Sequence, residues 1–107
     1  MKMVMAVVQD SDAARLIEEL NDNKFGVTKL ASTGGFLKNG NTTLMIGVEE
    51  ERIEALINII KKVCQPRKQI ITPFPGGTVD PYVPNPIEVT VGGAAVFVLN
   101  IERFEKI

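Results

Sequence analysis

Apolar residues change their spacing along the chain, from a nearly continuous run to a helical repeat. Residues Lys2 to Gln9 are rich in β-formers and almost continuously apolar, which predicts a central strand covered by helices on at least one face. Apolar positions then recur at helical spacing, at Ala13, Leu16, Ile17 and Leu20. The segment Asp10-Ser11-Asp12 offers N-cap oxygens before them, and Asn21-Asp22-Asn23 ends the pattern.

The next pattern is that of two strands joined by a tight turn. Phe25 to Leu37 predicts a second strand, interrupted by Gly34-Gly35, and Thr42 to Val48 predicts a third. Asn39-Gly40 is the dipeptide that favours a type I′ turn. We therefore expect a hairpin with a short loop at 38–41.

A second helix is predicted after the third strand. Glu49-Glu50-Glu51 opens it and Lys61-Lys62 lies in its last turns, an order of charges that complements the helix dipole. We interpret the acidic triplet as a solvated helix start rather than a cation site. One apolar stripe runs along the helix, made of Ile53, Leu56, Ile57, Ile60 and Val63.

All 6 prolines fall between Pro66 and Pro86, so residues 65–86 are predicted to form a long loop with at most a short strand at 69–72. Long loops in compact domains are usually functional. Ile87 to Val91 and Ala94 to Leu99 then predict a terminal hairpin around Gly92-Gly93, followed by a short helical tail at 101–107.

The predicted element order is βαββαβ, with the last strand elaborated as a hairpin. Residues 1–107 are expected to form a single α+β domain, a ferredoxin-like sandwich in which an antiparallel sheet carries two helices on one face. The other face of the sheet must also be covered, and assembly into a homotrimer around it is one standard solution.

Composition narrows the possible functions. The balance of 45% apolar and 23% charged residues is that of a soluble globular domain, and the formal net charge of −1 argues against nucleic-acid polymers as partners. The single cysteine, Cys64, excludes an internal disulfide and favours the cytoplasm. The apolar stretch 1–8 is too short to span a membrane.

Catalytic chemistry finds little support in the sequence. The chain has no histidine, so the usual zinc ligand and the commonest general base are missing. Cys64 ends the second helix, where the negative end of the dipole disfavours a thiolate, and we expect a buried structural thiol. We expect no catalytic residues, no metal and no cofactor.

The run from Thr33 to Thr43 favours a nucleotide ligand, because it combines a glycine pair, the aromatic ring of Phe36 and amide side chains. The glycines could equally form only a β-bulge, and Asn41 could simply complete the turn. No phosphate-binding loop or dinucleotide fingerprint is present.

The chain as a whole resembles the PII-like cyclic di-AMP receptors of the PstA/DarA type. The matching segments are 28–31, 33–37, 40–43, 76–77, 82–84, 91–94 and 96–98, together with Phe25, and the Thr-Gly-Gly-Phe-Leu run followed by Gly-Asn-Thr-Thr is the most specific of them. The resemblance implies a PII-like homotrimer that binds one cyclic di-AMP at each subunit interface and signals by loop movement to an unidentified protein.

The same resemblance implies a set of ligand contacts: Thr28, Gly35, Phe36, Leu37, Asn41, Gly47 and Phe97. Two positions depart from the family pattern. Gly26 stands where an arginine is common, and Lys106-Ile107 stands where the tail commonly ends in Gln-Phe. Lys24 and Lys106 are possible compensating contacts. The alternative is a trimeric scaffold or partner-binding module with weakened or altered nucleotide specificity.

Overall fold

The computed structural model of the chain describes residues 1–30, 40–71 and 87–107. Two helices and six strands lie in these residues, with a 3-10 turn at Glu50–Arg52 before the second helix. In chain order they are β1 (Lys2–Gln9), α1 (Asp10–Asp22), β2 (Val27–Leu30), β3 (Asn41–Val48), α2 (Ile53–Val63), β4 (Arg67–Ile71), β5 (Ile87–Val91) and β6 (Ala94–Asn100).

Four strands form one antiparallel sheet in the order β2-β3-β1-β6. This arrangement, with α1 and α2 on one face, is compatible with the predicted ferredoxin-like and PII-like fold, with β6 in the position of the fourth strand. The bounds of β1 are those predicted from the sequence, and β3 begins one residue earlier than predicted.

The hydrophobic core lies between this sheet and the two helices. Every second residue of the two central strands is buried there, at Val4, Ala6, Val8, Leu44, Ile46 and Val48. Leu16 and Leu20 of α1 and Leu56 and Ile60 of α2 cover them. β1 reads as continuously apolar because its other alternate residues, on the helix-free face, are apolar too.

The prediction for residues 87–99 was wrong in its pairing. β5 does not form a hairpin with β6; it pairs with β4 in a separate two-stranded sheet, while β6 pairs with β1. The short strand predicted at 69–72 is observed at Arg67–Ile71. We call β4 and β5 together the arm. The rest of the predicted long loop, 72–86, lies outside the described residues.

Two further local predictions failed. Residues 101–107 form no helix. The N-cap of α1 is Gln9 rather than a residue of the Asp10-Ser11-Asp12 segment, and no side chain caps that helix end. The carboxylates of Asp10 and Asp12 make tertiary contacts instead, which are described below.

Candidate ligand-binding face

The helix-free face of the four-stranded sheet, here called the open face, carries four of the predicted contact residues, Thr28, Asn41, Gly47 and Phe97. In the strand register Thr28 pairs with Met45, Met45 with Met5, and Met5 with Phe97. Paired residues on neighbouring strands lie on the same face. Thr28 and Phe97 are therefore the two ends of one row across the sheet, with the two methionines between them.

The two ends of this row are far apart within one chain. Three strand spacings separate Thr28 from Phe97, which is about 14 Å since neighbouring strands lie about 4.8 Å apart. Both residues lie on edge strands and are exposed, Phe97 at 57%. A single chain does not bring these two predicted contacts together.

Gly47 lies in the next row of the open face, where Met3 pairs with both Gly47 and Leu99. Gly47 is exposed, and a Cβ atom built on it would meet nothing within 4 Å. Its missing side chain leaves the backbone of β3 open to close approach from outside.

The turn before β2 contains Lys24, a candidate compensating contact, and Gly26, which departs from the family pattern; Arg52 binds this turn. Lys24 has a φ of 66°, in the left-handed region. The Arg52 guanidinium donates to the carbonyl oxygens of Asn23 (2.7 Å) and Lys24 (3.3 Å), and its carbon lies 4.0 Å from the ring centroid of the buried Phe25. A guanidinium is thus present beside Gly26, supplied by the start of the second helical segment.

Arg52 was missed by reasoning from the sequence. Because Arg52 directly follows the acidic triplet 49–51, the sequence suggested only that it belongs to a solvated helix start. Its partners are 28 and 29 positions away in sequence, and no local pattern connects them.

Asn41 is half-buried at the first position of β3, opposite Gln9 of β1. Gly40 precedes it with a φ of 119°, a conformation that favours glycine. We refer to Gly40, Asn41 and Thr42 as the hairpin end. Asn41 and Gly47 are six residue steps apart along β3, so these two predicted contacts are about 20 Å apart in one chain.

Four further residues were predicted as contacts: Gly35, Phe36, Leu37 and Lys106. Gly35, Phe36 and Leu37 lie outside the described residues. Lys106 is exposed in the C-terminal tail.

Three residues where β1 meets α1, which we call the junction, each bind a different segment. Gln9 Oε1 accepts a hydrogen bond from the Gly92 amide (2.8 Å). The Asp10 amide donates to the Gly40 carbonyl (2.7 Å), and its carboxylate accepts from Thr42 Oγ1 (2.5 Å). The Asp12 carboxylate accepts from both terminal nitrogens of Arg67, at 2.8 and 3.4 Å.

The charges around the junction shift two pKa values. The hydrogen bond that Arg67 donates to the Asp12 carboxylate raises the pKa of Arg67 further above its usual value. Burial, reinforced by the negative charge of Asp12, raises the pKa of the Cys64 thiol from 9.0 to about 11, against the opposing effect of Arg15 and Arg67. Cys64 is buried, as the sequence predicted, and carries a neutral thiol at physiological pH.

Within 1–30, 40–71 and 87–107, no group of three histidine, cysteine or acidic side chains could hold a metal ion. Over those ranges, too, no helix is long and apolar enough to cross a membrane.

The geometry therefore defines a class of protein. It is an α+β sandwich whose apolar open face is covered by no element among the described residues, with candidate contacts at the edges of that face. The model of the cyclic-di-AMP receptor family matches residues 1–107, and the chain belongs to that family. The chain is also similar to the crystal structure of a functionally unknown protein from Pediococcus pentosaceus ATCC 25745. That protein shares 45% sequence identity at a TM-score of 0.78, and the match covers 99% of this chain and 96% of the other.

Proposed function

We propose that this protein is a non-enzymatic cytoplasmic receptor that binds cyclic di-AMP at the subunit interfaces of a homotrimer. Binding is passed on by rearrangement of the 65–86 loop predicted from the sequence, which includes β4 of the arm, toward a protein that remains to be identified. Membership of the cyclic-di-AMP receptor family supports the ligand. The arrangement of the open face supports the position of the site.

One observation supports a binding site between subunits. Thr28 and Phe97 lie in one cross-strand row but at opposite edges of the sheet, about 14 Å apart by strand spacing. When copies of the chain pack around a three-fold axis, the β2 edge of one subunit approaches the β6 edge of the next in a head-to-tail contact. Residues at the two edges then face the same ligand.

The open face supports assembly on energetic grounds. Phe97 is 57% exposed and Leu99 is 45% exposed, and Met3 and Met5 lie beside them in the same register. Each square ångström of apolar surface removed from water contributes about 25 cal/mol. A neighbouring copy that covers this face therefore stabilises the protein.

The charge of the ligand can be matched without a basic cluster. Each phosphodiester of cyclic di-AMP carries one negative charge, so backbone amides and neutral side chains suffice as donors. Asn41 and Thr28 are donors of this kind. The exposed Lys24 and the Arg52 guanidinium add positive charge at the β2 edge, beside the position where Gly26 departs from the family pattern.

Calorimetry of the purified protein with cyclic di-AMP, cyclic di-GMP and ATP tests the ligand. We expect saturable heat with cyclic di-AMP alone and one site per chain. Absence of saturable heat at high micromolar cyclic di-AMP would refute the assignment and favour the alternative, a trimeric scaffold with weakened or altered specificity.

Asn41→Ala and Phe36→Ala test the site. Both are expected to lose binding while the oligomeric state is retained. Asn58→Ala, on the exposed surface of α2, is the matched control and should bind as the wild type does. Unchanged affinity in both site variants would remove the proposed contacts.

A further inference from the structure

The junction joins two segments that have no strand pairing with each other. Asp10 holds the hairpin end through its amide and its carboxylate. Gln9 and Asp12 hold the arm at its base, where Arg67 begins β4 and Gly92 follows β5. Residues within four positions of one another along the chain therefore contact the hairpin end, the start of β4 and the residue after β5.

Among the described residues, the arm has no backbone ladder to the four-stranded sheet. Its orientation therefore depends on the contacts at its base, where β4 begins and β5 ends. Arg67 is the first residue of β4, and its guanidinium also donates to the carbonyl of Gln65 (3.3 Å). After β5, the Gly93 amide donates to the Cys64 carbonyl (2.5 Å).

The Asp12 to Arg67 contact is specific rather than a loose surface pair. The Asp12 side chain is only 2% exposed, whereas that of Arg67 is 43% exposed. The two nitrogens of the guanidinium meet the two carboxylate oxygens, a bidentate geometry that fixes direction as well as distance. A shift in the first turn of α1 must therefore move Arg67 or leave a buried carboxylate without its partner.

We propose that Asp10, Asp12 and Arg67 are positioning residues that transmit the state of the hairpin end to the arm. This inference rests on the proposed function, because the hairpin end contains the predicted ligand contact Asn41. A ligand bound at Asn41 fixes Thr42, Thr42 fixes Asp10, and the first turn of α1 then carries the constraint through Asp12 to Arg67. The arm then changes its orientation at the end where Arg67 is held.

Amide hydrogen exchange without ligand tests the link by itself. Thr42→Val removes the hydroxyl that donates to Asp10 while keeping the side-chain shape, and Arg67→Lys keeps the charge while losing the bidentate contact. We expect Thr42→Val to change exchange in Arg67–Ile71, and Arg67→Lys to change exchange in 40–42. The matched control is Glu19→Gln, which removes one charge from α1 at its pair with Lys62 (3.6 Å) and should change neither.

Exchange with cyclic di-AMP then tests transmission. In the wild type, ligand is expected to change exchange in β4 and β5 by at least about fivefold, the lower end of ordinary coupling energies. Asp12→Asn and Arg67→Lys should still bind cyclic di-AMP in calorimetry and lose that response. Glu19→Gln should keep both.

The outcomes separate the two proposals. A wild type that gives no binding heat refutes the proposed function, and the exchange experiment without ligand still decides whether the link exists. A wild type that binds, together with an Asp12→Asn and an Arg67→Lys variant whose arms respond as fully as the wild type, overturns the positioning role. Thermal unfolding of each variant establishes that it is folded before exchange is compared.

Discussion

Asp12 shows how one residue can be required by tertiary structure while its local pattern indicates something else. It lies in the first turn of α1, where a carboxylate favours the positive end of the helix dipole. The structure uses it differently, because its buried carboxylate pairs with Arg67, which is 55 positions away. Removing one partner of such a pair is costly, since the other charge stays desolvated.

The buried thiol of Cys64 leads to a prediction about how the stability of the fold depends on pH. Burial raises its pKa from 9.0 to about 11, so in this range the unfolded thiol loses its proton before the folded one does. The unfolded state is then favoured as pH rises, and the stability of the fold is expected to fall between pH 9 and about 11 and to level off above that.

Thermal unfolding of the wild type and of Cys64→Ala, followed across this pH range, measures the effect. The informative quantity is the difference in stability between the two proteins, because their other ionisable groups are the same. It should shrink as pH rises from 9 to 11, because only the wild type carries the destabilising thiol ionisation. A difference that is constant with pH would contradict the raised pKa.

Residue patterns located Cys64 correctly because its burial follows from the apolar stripe of its own helix. They did not find the roles of Asp12 and Arg52, since the partners of both are distant in sequence. The positions of Thr28 and Phe97 at opposite sheet edges likewise depend on strand order, which no single segment of sequence contains. Gly35, Phe36 and Leu37 stay predictions.

At the scale of elements, the sequence predicted β1, α1 and β3 closely, because each has its own run or repeat of apolar residues. It also predicted α2, although that helix begins at Ile53, after a 3-10 turn at Glu50–Arg52. It failed at β5, whose alternating residues Ile87 to Val91 suit any antiparallel partner. Gly92 and Gly93 suggested a tight turn into β6. In the structure both have positive φ, 92° and 84°, but they redirect the chain from the arm to the sheet while their amides bind Gln9 and Cys64.

We therefore expect that no other residue can replace Gly92 where the chain passes from the arm to the four-stranded sheet. A Cβ there would lie 2.7 Å from the Gln65 carbonyl oxygen and 2.9 Å from Arg67 Nη1, whereas a Cβ on Gly93 meets nothing within 4 Å. Both alanine variants incur the cost of positive φ, on the order of 1 to 3 kcal/mol. Only Gly92→Ala adds a clash with backbone.

Urea unfolding of the two variants separates these contributions. Gly92→Ala should lose at least about 1 kcal/mol more unfolding free energy than Gly93→Ala, in line with the cost of overpacking a tight site. Equal losses would mean that the arm can move away from Gln65 at little cost, and that its base is held less tightly than the contacts indicate.

At the scale of the whole molecule, the proposed homotrimer requires a neighbouring copy to cover the open face. Met5 lies at the centre of that face, paired with Met45 and Phe97. Met5→Glu places a charge where a neighbouring copy would exclude water, so it is expected to disrupt assembly. Light scattering after size exclusion should give about three times the mass of one chain for the wild type and a smaller mass for Met5→Glu.

Ala14→Glu is the matched control, because it adds the same charge at an exposed position of α1. It should assemble as the wild type does. A wild type that stays monomeric at all concentrations would contradict the proposed homotrimer, and so would a Met5→Glu variant that is folded and keeps the wild-type mass.

Mixing two defective chains tests whether each site is shared between subunits. Thr28→Glu places a negative charge against the dianionic ligand, and Phe97→Ala removes the apolar contact at the other edge. Each variant alone is expected to form trimers without functional sites. If one site combines Thr28 of one subunit with Phe97 of the next, every mixed trimer contains one interface in which both residues are wild type.

Co-expression of the two variants in equal amounts gives about three quarters mixed trimers if the chains associate at random, so binding should return to about a quarter of the wild-type stoichiometry at wild-type affinity. A site formed within one chain gives a different result, because each chain then carries its own defect and mixing restores nothing. The stoichiometry in calorimetry therefore distinguishes a site between subunits from a site within one subunit. The test is possible because Thr28 and Phe97 occupy opposite edges of one sheet.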